Sequence, residues 1–251
     1  VMGSSTWQPF DCHAHTTFSD GDLIPAALVE RVRSRGVRPS VSDHASHAAR
    51  TLDTLDVLRL YLNTLAELDG LGRSAEFDWH DTLWRELPDD ITSQFTHRIG
   101  SLHAITLDDG TFIHMWQRNL PEGLTPDAYM DQHVAVLERF AREMPVDILA
   151  HPTLLPLPYR SLPLEDLWTE ERETRAARAL AKAGIAFEVS NRYRPHERFV
   201  RRAVSEGARL SLGSDGHAPE QLGDIAFSLA LTRSIGVPDE SLYDPSVHGR
   251  R

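Results

Sequence analysis

Short apolar runs alternate with amphipathic stripes along most of the chain. The clearest stripe lies in 52–65, where leucines recur every three or four residues, the spacing of one buried helical face. The clearest run is 146–150, which is nearly continuous in apolar residues, as expected of a parallel strand covered on both sides. Repetition of this strand and helix unit predicts a parallel α/β architecture. Because the strands are short and most end in a polar signal, we expect a closed barrel rather than an open sheet.

Proline, glycine and alternation mark the limits of several predicted elements. Helices are predicted to start at Pro126 and at Pro219, since proline suits the first helical turn. One charged helix is predicted over 164–183. The weakly alternating stretch 99–107 and the turn after it predict a β-hairpin that continues to Trp116. The predicted strands cover 7–11, 37–42, 75–78, 99–107, 146–150, 185–189 and 208–212.

Candidate metal-binding residues begin where the first predicted strand ends. His13 and His15 stand one residue apart there, and Asp20 follows five residues later. A strand sends residues i and i+2 to the same face, so both imidazoles are expected to enter one space. That is a chelating geometry, although an isolated pair of this kind is equally compatible with two unrelated polar residues.

Histidine or aspartate residues also follow other predicted strands. Each has a structural alternative: His44 as a buried, hydrogen-bonded histidine, His151 as a loop residue, and Asp215 as a carboxylate that caps a turn. Together they favour a functional site, because barrel active sites lie at the carboxyl ends of the strands. Imidazole and carboxylate suit zinc, iron and manganese, and so many candidates fit two or three ions better than one.

Composition narrows the classes of partner. The 251 residues are 41% hydrophobic and 25% charged, as in ordinary soluble globular proteins. The net charge of −11 argues against a general attraction to nucleic acid or to anionic membranes. No apolar run is long enough to span a bilayer, and no signal-peptide pattern is visible, so we expect a cytoplasmic location. Cys12 is the single cysteine, so an intramolecular disulfide is excluded. Its side chain is expected to be a thiol packed in the core.

The ordered set of motifs resembles the polymerase and histidinol phosphatase (PHP) superfamily. The matching stretches are Asp11-Cys12-His13-Ala14-His15, Ser19-Asp20-Gly21, Ser42-Asp43-His44, Gly100-Ser101-Leu102-His103, Leu149-Ala150-His151-Pro152 and Ser214-Asp215-Gly216-His217. The stretch that contains His103, together with 187–191, looks most like the histidinol-phosphatase branch. The resemblance covers most of the chain. It implies a distorted TIM-like (β/α)7 barrel that forms a single PHP-type hydrolase domain over 6–251.

The resemblance also implies which residues hold two or three divalent metal ions. A bridging glutamate is assigned to Glu76, which lies where the family has a Glu-apolar-Asp strand, although Ser74 replaces the usual glycine. Glu67 and Glu86 are the alternatives. The implied groups are His13, His15 and Asp215 for a first ion, the glutamate with His103 and His151 for a second, and Asp20, His44 and His217 for a third.

Such a cluster is suited to the hydrolysis of a small phosphate monoester. Metal ions lower the pKa of bound water to about 7, so a bridging hydroxide is available to attack phosphorus. Asp215, His217 and Glu76 would then act in catalysis through the metals. Guanidinium groups suit a phosphate dianion as further partners. The candidates are Arg160, Arg192 and Arg194.

Alternatives remain for the reaction and for the supporting residues. The same cluster is compatible with phosphodiester or nucleotide-phosphate hydrolysis, with amidohydrolase-like cleavage of a carbon–nitrogen bond, and with a barrel that has lost catalysis. His47 is either a proton donor to the leaving group or a solvent-facing loop residue. Asp11 and Asp43 are expected to orient neighbouring ligands rather than to bind metal.

Overall fold

The computed structural model describes residues 7–48 and 52–249, which form nine strands and nine α-helices. The strands are β1 (Phe10–Asp11), β2 (Arg38–Ala45), β3 (Gly72–Asp78), β4 (Ile99–Ser101), β5 (Ala104–Thr106), β6 (Phe112–His114), β7 (Ile148–Leu149), β8 (Ala186–Ser190) and β9 (Leu210–Gly213). The helices are α1 (Pro25–Arg33), α2 (Leu55–Ala66), α3 (Asp89–Thr92), α4 (Pro126–Glu143), α5 (Leu164–Leu167), α6 (Glu170–Ala183), α7 (Glu197–Ser205), α8 (Ala226–Ser234) and α9 (Pro245–His248). All seven predicted strand segments overlap an observed strand. The predicted domain limits, 6 and 251, lie outside the described residues.

Seven parallel strands lie side by side in the order β1-β2-β3-β4-β7-β8-β9. The ends of this sheet meet, because the backbone N–H of Cys12 donates to the carbonyl of Leu212 at 2.8 Å. Beyond β1, Ala14 forms a parallel bridge with Gly216. The sheet is therefore a nearly closed barrel surrounded by helices, and the predicted distorted (β/α)7 barrel is confirmed. The remaining strands, β5 and β6, form the predicted antiparallel hairpin.

Glycine at position 100 shows which face of β4 looks into the barrel. A Cβ atom at Gly100 would lie 2.7 Å from the ring of Phe140 on α4, so this face packs outward against the helix. Ile99 and Ser101 then point into the barrel, since strand residues alternate. Ile99 belongs to a small apolar cluster with residues of β1, β7 and β8, which include Phe10, Cys12, Ile148 and Ala186. Cys12 is thus the packed core thiol that the sequence predicts.

Among the differences between predicted and observed element limits, three have a clear local cause. Residues 219–223 form turns rather than a helix, because Gly223 has a positive φ of 71° and its N–H donates to Asp11. The final long helix therefore begins at Ala226. The predicted helix 164–183 is two helices, and Thr169 caps the second with its side chain.

The third difference concerns β2, which extends to Ala45. Its pairing with β3 runs from Ser40 and Gly72 to Ala45 and Phe77, so the strand continues past its predicted end at residue 42. Asp43 and His44 consequently lie within the strand rather than after it.

No helix in the described ranges 7–48 and 52–249 combines the length and hydropathy that a membrane span requires.

We expect His133→Leu to flatten the dependence of stability on pH. His133 is buried in α4, and burial lowers its pKa to about 4. Between this value and the unfolded-state value of about 6.5, the unfolded chain binds more protons, so histidine lowers the free energy of unfolding as pH falls. Between pH 7 and pH 5, His133 is expected to lower the free energy of unfolding of the wild type by about 2 kcal/mol. Urea unfolding at both pH values measures this decrease. An equal decrease in wild type and variant would contradict the lowered pKa of His133.

Candidate metal centre

The histidine pair after β1 faces one space, as the strand spacing predicts. The Nε2 atoms of His13 and His15 lie 3.1 Å apart, and both side chains are fully buried. Their backbone is fixed by the loop after β9, since Asp215 N–H donates to the carbonyl of His13 and His15 N–H donates to that of Gly216. Closure of the barrel therefore positions these two rings.

Glu76 occupies the middle of the site. It is buried on β3 and lies in register with His44 of β2. Its Oε1 atom is 2.9 Å from Nε2 of His151 and 3.3 Å from Nε2 of His103. Its Oε2 atom is 2.9 Å from Nδ1 of His44 and 3.4 Å from Nε2 of His13. One carboxylate thus reaches four ligand candidates that come from different parts of the barrel.

The outer part of the site is built around Asp20, whose side chain is 57% exposed. Its carboxylate lies 3.3 Å from Nε2 of His217, 3.6 Å from Nε2 of His44 and 3.8 Å from Nδ1 of His15. The loop that carries Asp20 comes after the histidine pair, while His217 comes after β9. The exposure of Asp20 leaves this side of the cluster accessible from solvent.

All nine predicted metal ligands come together. Within each of four groups, one ligand atom per residue lies within 4.8 Å of the others. The groups are His15, Asp20, His44 and His217; His13, Glu76 and His151; His13, His15 and Asp215; and His44, Glu76 and His103. Of the implied sets, that of His13, His15 and Asp215 recurs unchanged, and that of Asp20, His44 and His217 recurs with His15 added. The implied set of Glu76, His103 and His151 is divided, because His151 groups with Glu76 and His13, and His103 groups with Glu76 and His44.

The donor set fits divalent metal ions. Nε2 of His13 lies 3.1 Å from Nε2 of His15, and Nε2 of His103 lies 3.3 Å from Nε2 of His151. Between neutral imidazoles only one nitrogen of each pair can donate, so the other presents a lone pair. The buried Nδ1 of His15 forms no hydrogen bond with any residue that the structure describes. Convergent imidazole and carboxylate groups without a cysteine are typical of zinc, iron and manganese sites.

Burial and neighbouring charges have opposite effects on the pKa values of Glu76 and His103. Burial alone would raise the pKa of Glu76, but the neighbouring histidines, His103 and His13 first, hold it well below its usual range. Burial alone would lower the pKa of His103, but the charges of Glu76 and Asp78 raise it to about 9. Burial and the charge of His44 lower the pKa of His15 to about 3. The carboxylates are therefore ionised at neutral pH, and metal ions would displace protons from some of the imidazoles.

Two of the predicted ligands have strained backbone. His151 has a φ of 29° and Asp215 a φ of 49°, and among the described residues no other non-glycine residue has a positive φ. Such conformations cost of order 1–3 kcal/mol and persist only where the surroundings impose them. The N–H of His151 donates to Glu188 at 2.5 Å, and the N–H of Asp215 donates to His13 at 2.8 Å. Strained backbone of this kind is typical of functional sites.

Asp11 and Asp43 hold the loops that carry ligands. Asp11 accepts from Ser214 N–H at 2.8 Å and from its hydroxyl at 2.6 Å, next to Asp215. Asp43 accepts from Thr16 N–H at 2.7 Å and from the Ser19 hydroxyl at 2.6 Å, next to Asp20. Neither belongs to a candidate metal group. Their contacts agree with the orienting role expected from the sequence.

Sequence reasoning missed two further carboxylates beside the ligands. Asp78 lies 2.5 Å from Nδ1 of His103, and Glu188 lies 2.8 Å from Nδ1 of His13. The available signal was alternation: Asp78 is two residues after Glu76 on one strand face, and Glu188 is an acidic residue in an otherwise apolar predicted strand. A buried acid in such a strand requires a polar partner.

A cavity of about 190 Å³ opens above the ligands. It is also lined by Trp116, Arg192 and Tyr193, and the Trp116 ring centroid is 5.1 Å from that of His103. Trp116 follows the β5–β6 hairpin and was not predicted as a site residue. Arg192 lies at the rim, with Nη1 2.8 Å from Nδ1 of His217.

The other sequence candidates lie outside this cavity. Arg160 and Arg194 line a neighbouring cavity of about 170 Å³, which shares Tyr193 with the first. His47 is exposed and lies 3.0 Å from Glu86, which is also exposed. Glu67 is exposed at the end of α2. The structure thus brings Glu76, rather than either alternative glutamate, to the predicted ligands.

Comparison with known structures identifies the barrel. The chain matches the histidinol phosphate phosphatase HisK of Lactococcus lactis, solved with zinc, L-histidinol and phosphate, with a TM-score of 0.73 and 17% identity over 92% of this chain and 95% of that one. The protein has the histidinol-phosphatase fold. The candidate histidinol phosphatase hisK of Listeria monocytogenes also matches, with a TM-score of 0.70 and 14% identity over 87% of this chain and 98% of that one. The resemblance stated from the sequence is confirmed as a fold.

Comparison of sequences finds a relative of similar length. The uncharacterised protein MJ1295 of Methanocaldococcus jannaschii is 24% identical over 250 residues, which cover 95% of each chain. No protein-family model matches the sequence. Structural similarity therefore shows the histidinol-phosphatase fold.

Proposed function

We propose that the protein is a metal-dependent hydrolase of small phosphate monoesters, with residues 6–251 acting as one PHP-type domain. The observation that carries the proposal is the convergence of nine histidine and carboxylate ligand candidates beneath one open cavity. A non-catalytic barrel would be expected to have lost some of these ligands, yet every predicted position is filled. The HisK structure with zinc, L-histidinol and phosphate gives a precedent for this chemistry on the same fold.

The proposed cluster holds two or three divalent ions of zinc, iron or manganese. Metal ions held there would supply a hydrolytic nucleophile at neutral pH and offset the charge that builds on the phosphoryl oxygens. Glu76 would join the inner groups because its two oxygens face different histidines. Asp215 and His217 would complete the site from the loop after β9. The ligands are His13, His15, Asp20, His44, Glu76, His103, His151, Asp215 and His217.

The arginines would bind different parts of the substrate. Arg192 lines the cavity above the cluster, where a guanidinium suits a phosphate dianion. Arg160 and Arg194 line the adjoining cavity with Leu154 and Leu155, so we place the leaving group there. Tyr193 lines both cavities, so it would lie beside the bond between the phosphate and the leaving group.

A substrate screen with measured metal content tests the function. Protein purified without added metal is analysed for zinc, iron and manganese, then reconstituted and assayed on small phosphomonoesters, phosphodiesters, nucleotides and cyclic amides. We expect release of inorganic phosphate from monoesters only when metal is present. Preferential hydrolysis of diesters or amides would replace the proposed reaction, and a fully loaded protein inactive on every class would refute it.

We expect Arg192→Ala to weaken competitive inhibition by inorganic phosphate about 10- to 100-fold, because it removes a charge-assisted contact worth about 1.5–3 kcal/mol. Arg160→Ala and Arg194→Ala are expected to raise KM for esters with large leaving groups while changing the inhibition constant for phosphate little. Arg201→Ala is the control, since Arg201 is exposed on α7 and pairs with Glu197. Equal effects of Arg192→Ala and Arg201→Ala would contradict the placement of the phosphate.

A further inference from the structure

Glu188 contacts two proposed metal ligands at once. It lies within β8 and is fully buried. Its Oε1 atom is 2.8 Å from Nδ1 of His13, and its Oε2 atom accepts from the backbone N–H of His151 at 2.5 Å. His13 and His151 come from opposite parts of the chain and share a candidate metal group with Glu76. One carboxylate is therefore hydrogen-bonded to both of them.

The contact with His13 fixes which ring nitrogen faces the cluster. A carboxylate is an acceptor, so Nδ1 of His13 must carry the proton that it donates to Glu188. In the neutral ring, the lone pair is then on Nε2, which faces His15 at 3.1 Å and Glu76 at 3.4 Å. The other tautomer would direct an N–H group at the metal position. Glu188 consequently selects the form of His13 that can bind a metal ion.

The contact with His151 fixes a strained backbone. His151 has a φ of 29°, and its N–H is held by Oε2 of Glu188. In this conformation its ring points inward, with Nε2 2.9 Å from Glu76. An unsupported residue would relax toward a more favourable φ and turn the ring away. The buried acceptor therefore holds the conformation that directs His151 at the cluster.

Gly213 on the neighbouring strand β9 leaves room for the Glu188 carboxylate. A Cβ atom at position 213 would lie 2.1 Å from Oε1 of Glu188, so a larger residue there would displace the carboxylate from His13. We propose that Glu188 is a positioning residue, which couples the proton on His13 to the backbone of His151 and thereby preorganises the metal cluster. This inference rests on the proposed metal site and goes beyond it, because Glu188 is not itself a ligand.

Glu188→Gln tests the role with a matched control. If the glutamine oxygen accepts from His151 N–H, its NH₂ group faces His13, which must then accept on Nδ1 and carry its proton on Nε2. We expect zinc affinity, measured by competition with a chromophoric chelator, to fall about 10- to 100-fold. The control is Glu173→Gln, since Glu173 is equally buried and lies 2.5 Å from His196, away from every candidate ligand group.

Stability separates positioning from a purely structural role. The free energy of unfolding of metal-free protein is measured for both variants. We expect both to lose stability, while only Glu188→Gln loses zinc affinity and shifts the absorption bands of the cobalt-substituted protein. Wild-type zinc affinity and wild-type cobalt bands in Glu188→Gln would overturn the inference without affecting the proposed function. A wild-type protein that binds no zinc, iron or manganese would instead refute the function.

A measurement on wild type keeps the inference testable if Glu188→Gln does not fold. Long-range proton–nitrogen correlation spectra of the zinc-loaded protein report which imidazole nitrogen carries the proton. We expect the proton of His13 on Nδ1, hydrogen-bonded to Glu188. A proton on Nε2 of His13 would overturn the inference.

Discussion

Replacing Glu76 with glutamine is expected to abolish the proposed hydrolysis. The amide keeps one oxygen acceptor but presents an NH₂ group to histidines that now lie 2.9 to 3.4 Å from the carboxylate. It also removes the charge that offsets those histidines in a buried site. We expect kcat/KM for a phosphate monoester to fall at least about a thousandfold, which corresponds to about 4 kcal/mol of lost transition-state stabilisation. Steady-state assays and metal analysis on the same preparation measure both consequences.

The two alternative glutamates provide controls for this substitution. Glu67 is exposed at the end of α2, and Glu86 is exposed beside His47. Glu67→Gln and Glu86→Gln are therefore expected to retain metal content and turnover. Unchanged metal occupancy in Glu76→Gln would refute its role as the shared ligand. Loss of metal in Glu86→Gln would move the site toward the loop after β2.

Removing the metal ions is expected to lower the thermal midpoint by about 10 °C. Ions that bind only the folded state stabilise it by about 4 kcal/mol at a thousandfold excess over Kd, and each kcal/mol shifts the midpoint of a protein of this size by about 2–4 °C. The cluster makes this effect large, because four buried histidines, His13, His15, His103 and His151, then face one another without a cation. Calorimetry with and without a chelator measures the shift.

Reconstitution and a variant control make this result specific. Adding back zinc, manganese or iron should restore the midpoint and the activity together. Glu76→Gln should show a smaller chelator-induced shift than wild type, since it binds metal less tightly. An identical midpoint for metal-free and metal-loaded wild type would contradict a metal cluster in the folded protein.

The parts of the fold that could be predicted depend on periodicity and on the ends of strands. The stripe in 52–65 and the run in 146–150 give α2 and β7, because one face of the helix and both faces of the strand must be buried. The parallel arrangement then brings His44, His103 and His151 to one end of the barrel without further information. The candidate site was found because its ligands follow the strands in a recurring pattern.

The features that could not be predicted depend on contacts between distant residues. The segment after Pro219 has a helical pattern, but Gly223 instead gives its N–H to Asp11 at the other end of the chain. Glu188 lies in a strand whose pattern gives no indication of its partners. Trp116 enters the cavity only because a hairpin folds over the barrel. Local patterns carry no information about which distant backbone group a side chain will meet.

The position of each residue in the chain also sets the order in which the candidate metal groups can be completed during synthesis. Asp11 and Ser214 are hydrogen-bonded although they are 203 residues apart, so the last contacts of the site close almost the longest loop of the chain. The group that contains His103 is complete first, the group with His151 next, and those with Asp215 and His217 last. A nascent chain that has not yet exposed residue 217 lacks the outermost group. Full metal uptake would then report that translation has passed this point and that both ends of the barrel have met.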